Sequence, residues 1–174
     1  MKSTENCKHV ISISLGSSTR DAQAVLRLGD RGIIVERRGT DGDFGKARRL
    51  MEQWDGRADA IGLGGTDLYV CAGNKRYVFR ESAKLIENVR KTPVLDGSGL
   101  KNTLERKLIR KLAAEGKIPI KDSKVLLVCA VDRFGMAEAL QEAGAKVTFG
   151  DLIFGLNIDK PLYSLKSLSW WAEL

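Results

Sequence analysis

Hydrophobic and polar positions change period along the chain, and each change marks an element. Val10–Leu15 alternates and is rich in Ile and Val, which predicts a strand running into the polar turn Gly16-Ser17-Ser18-Thr19. Ala22–Leu28 and Ile33–Arg37 flank Gly29-Asp30-Arg31-Gly32 and read as a hairpin. Phe44, Ala47, Leu50, Met51 and Trp54 then recur at helical spacing, with Asp43 placed as an N-cap. Asp59–Leu63 is a short apolar strand. Tyr69–Ala72 and Arg76–Phe79 suggest a second hairpin across Gly73-Asn74. Arg80–Val89 reads as a helix, and Pro93 drives Thr92–Leu95 into an extended conformation.

The C-terminal part is patterned more simply. Leu100, Leu104, Leu108 and Leu112 form a leucine face at steps of four, closing near Gly116. Lys124–Ala130 is a continuous apolar run, the pattern of a strand covered on both faces. A turn at 131–135, a helix over Met136–Ala143, Gly144 and a strand at Lys146–Phe149 complete a β-α-β unit. The tail Leu162–Leu174 predicts a short amphipathic helix with Trp170 and Trp171, a candidate contact with a second copy. The expected fold class is α/β and Rossmann-like, with a mixed or parallel sheet and β-hairpins in the N-terminal half. The chain reads as one domain, 1–174, or as two lobes: a β-rich lobe at about 1–97, then a helix and β-α-β unit at 98–174.

Composition narrows the picture. At 174 residues and 43% hydrophobic content the chain is globular. No apolar run approaches the roughly 20 residues needed to span a bilayer, and the first eight residues contain no signal-peptide core. A cytoplasmic protein is expected. Cys7, Cys71 and Cys129 lack metal-ligand spacing; Cys71 and Cys129 read as small core residues in a reducing compartment. The lone His9 opens the first strand and reads as structural. The net charge of +7 is concentrated in 101–124, with eight basic and three acidic residues. No aromatic residue interrupts that stretch to stack a base, so a solvated helix face is favoured over a nucleic-acid footprint.

Four strands are each followed by a glycine-bearing polar loop: 39–43, 64–67, 96–99 and 131–135. In an open parallel sheet such loops converge at the carboxyl edge, where ligands bind. Thr40, Asp41, Gly65, Asp67, Ser98 and Asn102 are therefore candidate substrate contacts. Asp41, Asp43 and Asp67 are the carboxylates available to a Mg²⁺-phosphate ligand. Lys101, in the first turn of a helix and near Asp96 in sequence, is the candidate acid-base catalyst, with Asp96 its partner. The alternative is a helix capped by Asp96 or Ser98 with Lys101 in solvent.

The β-α-β unit matches the second half of a dinucleotide fingerprint at Ala137, Leu140, Gly144, Val147 and Asp151, but not its glycine half. Asp132, Arg133, Gly135 and Asp151 are the candidate contacts to NAD or NADP. Asp151 would hold the ribose, and Arg133 would meet a phosphate by charge.

Five runs add a resemblance. They are 13–21 (Ile13 to Asp21), 38–43 (Arg38 to Asp43), 62–69 (Gly62 to Tyr69), 92–106 (Thr92 to Arg106) and 130–139 (Ala130 to Ala139). Together they resemble a bacterial family carried under the name quinate/shikimate 5-dehydrogenase. That resemblance covers nearly the whole chain. It implies an NAD(P)-dependent oxidoreductase acting on a small polyol acid, and a family whose members run on past this chain's end. A non-catalytic small-molecule-binding or regulatory α/β module is the alternative. The Gly16–Thr19 turn and following hairpin resemble the first phosphate loop of sugar-kinase and actin-like proteins. A phosphotransferase is therefore the third reading.

Overall fold

The computed structural model describes residues 7–73 and 75–173. The first six residues, Asn74 of the expected Gly73-Asn74 turn, and Leu174 lie outside the described residues. The protein is α/β and divides into two compact units. One holds the residues up to Leu68 together with Val78–Gly97; the other holds Tyr69–Tyr77 and the residues from Ser98 onward.

The first unit is built on a five-stranded sheet of order β2-β3-β1-β4-β7. Its strands are β1 (Cys7–Ser14), β2 (Ala22–Leu28), β3 (Arg31–Gly39), β4 (Ala60–Gly64) and β7 (Val94–Leu95). β1 runs parallel to β3 and β4, and β4 runs parallel to β7; only β2 is antiparallel, as the hairpin partner of β3. The period-2 pattern of β1 sends Ile11 and Ile13 to one face, where they are fully buried. In register with them stand Ile61 and Leu63 of β4.

Helices α1 (Phe44–Trp54) and α2 (Arg80–Ile86) supply Ala47, Met51 and Leu85 to the same core. Burying a side chain such as Ile11 or Met51 contributes about 1.5–3 kcal/mol. α1 begins where expected, because the Asp43 carboxylate accepts the Lys46 amide at 2.8 Å. α2 is three residues shorter than its hydrophobic pattern suggests. The segment beyond it is held by Asp55, whose carboxylate accepts the amides of Arg90, Lys91 and Thr92 at 2.7–2.9 Å.

The second unit contains the two-stranded sheet β5 (Tyr69–Ala72) and β6 (Lys75–Val78), of which Val78 falls in the first unit, and the parallel pair β8 (Lys124–Leu127) and β9 (Lys146–Phe149). Helix α5 (Phe134–Glu142) links β8 to β9 and packs Ala137 and Leu140 against Leu127, Val147 and Phe149. Ahead of it, α3 (Ser98–Leu100), a π-helical turn (Lys101–Glu105) and α4 (Arg106–Ala114) run on as one rod. The chain ends on α6 (Leu165–Trp171), which buries Leu168 and packs Trp171 on this core, while Trp170 stays exposed.

Three expectations change here. β8 is four residues long, not seven, and Leu126 and Val128 are exposed, so the strand is not covered on both faces. The leucine face of the rod points outward: Leu100, Leu104 and Leu108 are each at least half exposed. The opposite face packs Ile109 and Ala113 on the hydrophobic core and is tied to α5 through Arg106–Glu138 and a two-pronged Arg110–Glu142 pair at 2.9 and 3.0 Å. Cys129 is an exposed residue and not a core one.

Candidate functional site

The four glycine-bearing loops do not share one edge. Loops 40–43, 65–67 and 96–97 follow parallel strands of the five-stranded sheet, whereas 131–135 follows β8 in a separate sheet. In the first unit the candidate groups knit the loops to each other. Thr40 is buried; its amide donates to the Ser14 carbonyl at 2.9 Å and its hydroxyl to the same oxygen at 3.2 Å. The Asp41 carboxylate accepts the Ser18 amide at 2.7 Å, a bond that holds its carboxyl below the usual aspartate value. Asp96 accepts the Leu68 amide at 2.7 Å.

The glycines serve close backbone approach. A methyl on Gly65 would sit 3.3 Å from the Gly16 nitrogen, and Gly65 has φ 78°. Asp67 lies in the same loop. In the Gly16–Thr19 turn, the Thr19 amide is taken by the Ser17 hydroxyl at 3.2 Å. Both the Ser18 and Thr19 amides thus have internal acceptors, which leaves the turn without the open amide cradle of a phosphate loop. His9 stacks edge-on against Trp54 with centroids 4.9 Å apart and lies 3.3 Å from the Glu36 carboxylate, a structural position.

The second unit brings more of the candidates together. Lys101, Asn102 and Thr103 all lie in the π-helical turn, a local widening found often at functional sites. Lys101 Nζ donates to Asp132 Oδ1 at 2.6 Å, with only 21% and 23% of the two side chains exposed. A candidate acid-base lysine is thus joined to a candidate cofactor residue. Asp96 belongs to the other unit.

Next to this pair, Arg133 is bonded to Glu105, which raises the arginine pKa further. Asp151 Oδ1 accepts the Val131 amide at 2.9 Å, tying the end of β9 to the loop after β8. Partial desolvation, with the Asp151 and Asp132 carboxylates adding to it, pushes the Cys129 thiol up, so it is no activated nucleophile. Ser98 donates to the Tyr69 carbonyl at 3.4 Å.

These contacts test the dinucleotide expectation. The loop 128–133 contains no glycine. Arg133 is engaged with Glu105, and Asp151 Oδ1 with the Val131 amide, while Asp151 Oδ2 is buried with no hydrogen-bond partner among the described residues. Gly135 is where α5 meets the π turn: a methyl there would come 3.0 Å from the Asn102 carbonyl oxygen and 3.1 Å from Arg106 Nε. The residues present therefore do not form the close pyrophosphate approach of the fingerprint.

A cleft of about 290 Å³ opens in the same unit, lined by Tyr69, Arg76, Asn102, Thr103, Arg106 and Phe134 among others. Among the described residues its wall holds two arginines and no carboxylate. Arg76 stacks over the Tyr69 ring at 4.6 Å, which fixes the guanidinium. Arg106 Nε is buried with no hydrogen-bond partner among the described residues. Asn102 was a sequence candidate; Arg76, Arg106, Tyr69 and Phe134 were not. Asn102 and Arg106 stand four apart on one helical face, a signal readable in retrospect. Arg76 carried none, because a hairpin arginine is usually solvated. Among the described residues no group of three or more His, Cys, Asp or Glu is placed to hold a metal ion.

The family described as a domain of unknown function (DUF8753) matches residues 9–96, half of the chain. The chain belongs to that family. Residues 99–174 match a second domain of unknown function (DUF8754). The seam between the two matches, at 97–98, coincides with the break between the compact units. Hairpin 69–77 is the exception: it lies within the first match and packs in the second unit. No curated protein and no solved structure matches the chain.

Proposed function

We propose that the second unit binds a small hydroxylated carboxylic acid in the cleft of Arg76, Asn102 and Arg106. The carrying observation is a cleft with two arginines and no carboxylate in its wall. Arg106 is already paired with Glu138, so Arg76 supplies the charge that attracts one anionic group; arginine pairs bidentately with a carboxylate, and Asn102 is placed for a hydroxyl. The volume of about 290 Å³ sits at the small end of ligand sites, which fits a single-ring acid. The resemblance to the quinate/shikimate 5-dehydrogenase family names the polyol acids to try first. Calorimetry with quinate and shikimate tests the reading. Saturable binding that Arg76→Ala and Asn102→Ala each weaken at least tenfold supports it; no heat with either acid refutes it.

A second reading, NAD(P)-linked oxidation of a hydroxyl on that acid, is favoured by the Lys101–Asp132 pair. A lysine held by a carboxylate in a half-buried turn is equipped to exchange a proton with a hydroxyl. The loop after β8 weighs against it. NADH and NADPH titrations decide: with no heat and no change in melting temperature, the binding module stands alone. An activity abolished by Lys101→Ala reverses that order. Among the described residues no helix is long and apolar enough to cross a membrane. The three cysteines are free, which suits the reducing cytoplasm.

A further inference from the structure

Among the described residues, strand β2 is the outer edge of the five-stranded sheet and pairs there only with β3. All seven of its residues are exposed, on both faces. Val25 is 65% exposed, Leu26 53% and Leu28 74%. Natural edge strands are blunted by proline, bulges, lysines or short length. β2 has none of these: it pairs with β3 without interruption from Ala22 to Leu28 and carries a single charge, Arg27.

We propose that β2 pairs antiparallel with β2 of a second copy of this chain, extending the sheet across a two-fold axis at Val25. The sequence of the strand is complementary to itself in that register. Val25 faces Val25, Ala24 faces Leu26, Ala22 faces Leu28 and Arg27 faces Gln23. No like charges meet, and the only cation finds an amide oxygen. The outward backbone groups of the two strands satisfy each other with about six to eight hydrogen bonds. The two-fold closes the assembly, because each copy contributes its one free β2 edge. An acidic or basic strand from another protein would gain no charge partner beyond Arg27.

Sedimentation velocity on the full chain tests the pairing, with two substitutions. Gln23→Lys sets a lysine beside Glu36 of its own chain, the β3 residue in register with it. The monomer fold is therefore kept, while two Lys–Arg clashes form across the axis. The expected result is a dimer weakened about 2- to 30-fold with an unchanged urea midpoint. Val25→Lys places two ammonium groups face to face and is expected to sediment as a monomer with a wild-type circular dichroism spectrum. A wild-type chain that stays monomeric at high micromolar concentration overturns the proposal. A dimer equally tight in both variants also overturns it, and moves the contact to another surface such as α6.

Discussion

Gly135→Ala separates packing from cofactor binding at the start of α5. The added methyl would sit 3.0 Å from the Asn102 carbonyl oxygen and 3.1 Å from Arg106 Nε. The carbonyl belongs to the π-helical backbone, so it has no free torsion by which to swing aside. Arg106 is held at its far end by Glu138. Overpacking of this kind costs about 1–3 kcal/mol. Alanine in place of a helical glycine offsets about 0.5–1 kcal/mol of that. The net loss is about 0–2.5 kcal/mol, a fall in Tm of up to about 10 °C for a chain of this size. Gly99 is the control, since a methyl there meets nothing within 4 Å. Gly99→Ala should stabilise by about 0.4–1 kcal/mol. Urea and thermal denaturation of both variants give the sign. If Gly135→Ala is as stable as the parent but loses NADH or NADPH binding, the packing argument fails and the dinucleotide reading returns.

The Lys101–Asp132 pair should show a coupling of about 1–2 kcal/mol in a Lys101→Met, Asp132→Asn double-mutant cycle followed by urea unfolding, between the values for exposed and fully buried pairs. A coupling near zero would mean that solvent screens the pair. Gly39→Ala should destabilise the first unit by about 3 kcal/mol, because its methyl would lie 2.5 Å from the Ser17 carbonyl, which is backbone. A wild-type urea midpoint would show that the turn relaxes. Acid should weaken the first unit. The carboxyls of Asp41, Asp55 and Asp59 are lowered by the Ser18 amide, the Arg90 amide and the Lys8 ammonium respectively. Groups with depressed folded values stabilise fully above the unfolded value of about 3.9 and lose that contribution as pH falls through the folded values. The urea midpoint should hold from pH 7 to about 5 and fall below about 4; a midpoint independent of pH down to 3 would contradict it.

Local pattern alone was enough for α1, its Asp43 cap, β9 and the β2–β3 hairpin, because each is decided by residues within a few positions of one another. Partner choice was not readable. Four strands followed by similar glycine loops look alike in sequence. Only the paired backbone shows that β8 joins β9 in a sheet of its own, so loop 131–135 does not follow a strand of the five-stranded sheet. The leucine stripe at 100, 104 and 108 revealed a helix with an apolar face, but not that the opposite face, which carries Ile109 and Ala113 beside its arginines, would be the one packed. That outcome depends on Glu138 and Glu142, some thirty residues away, meeting Arg106 and Arg110. Likewise the sequence singled out Lys101 as chemistry but carried no sign that it would meet the loop after β8. Asp132, distant in sequence, is the partner at 2.6 Å. The sequence by itself determined the periods, the caps and the places where only glycine fits. The tertiary structure decided which carboxylates and arginines meet, because ion pairs and clefts form between residues whose separation along the chain carries no signal.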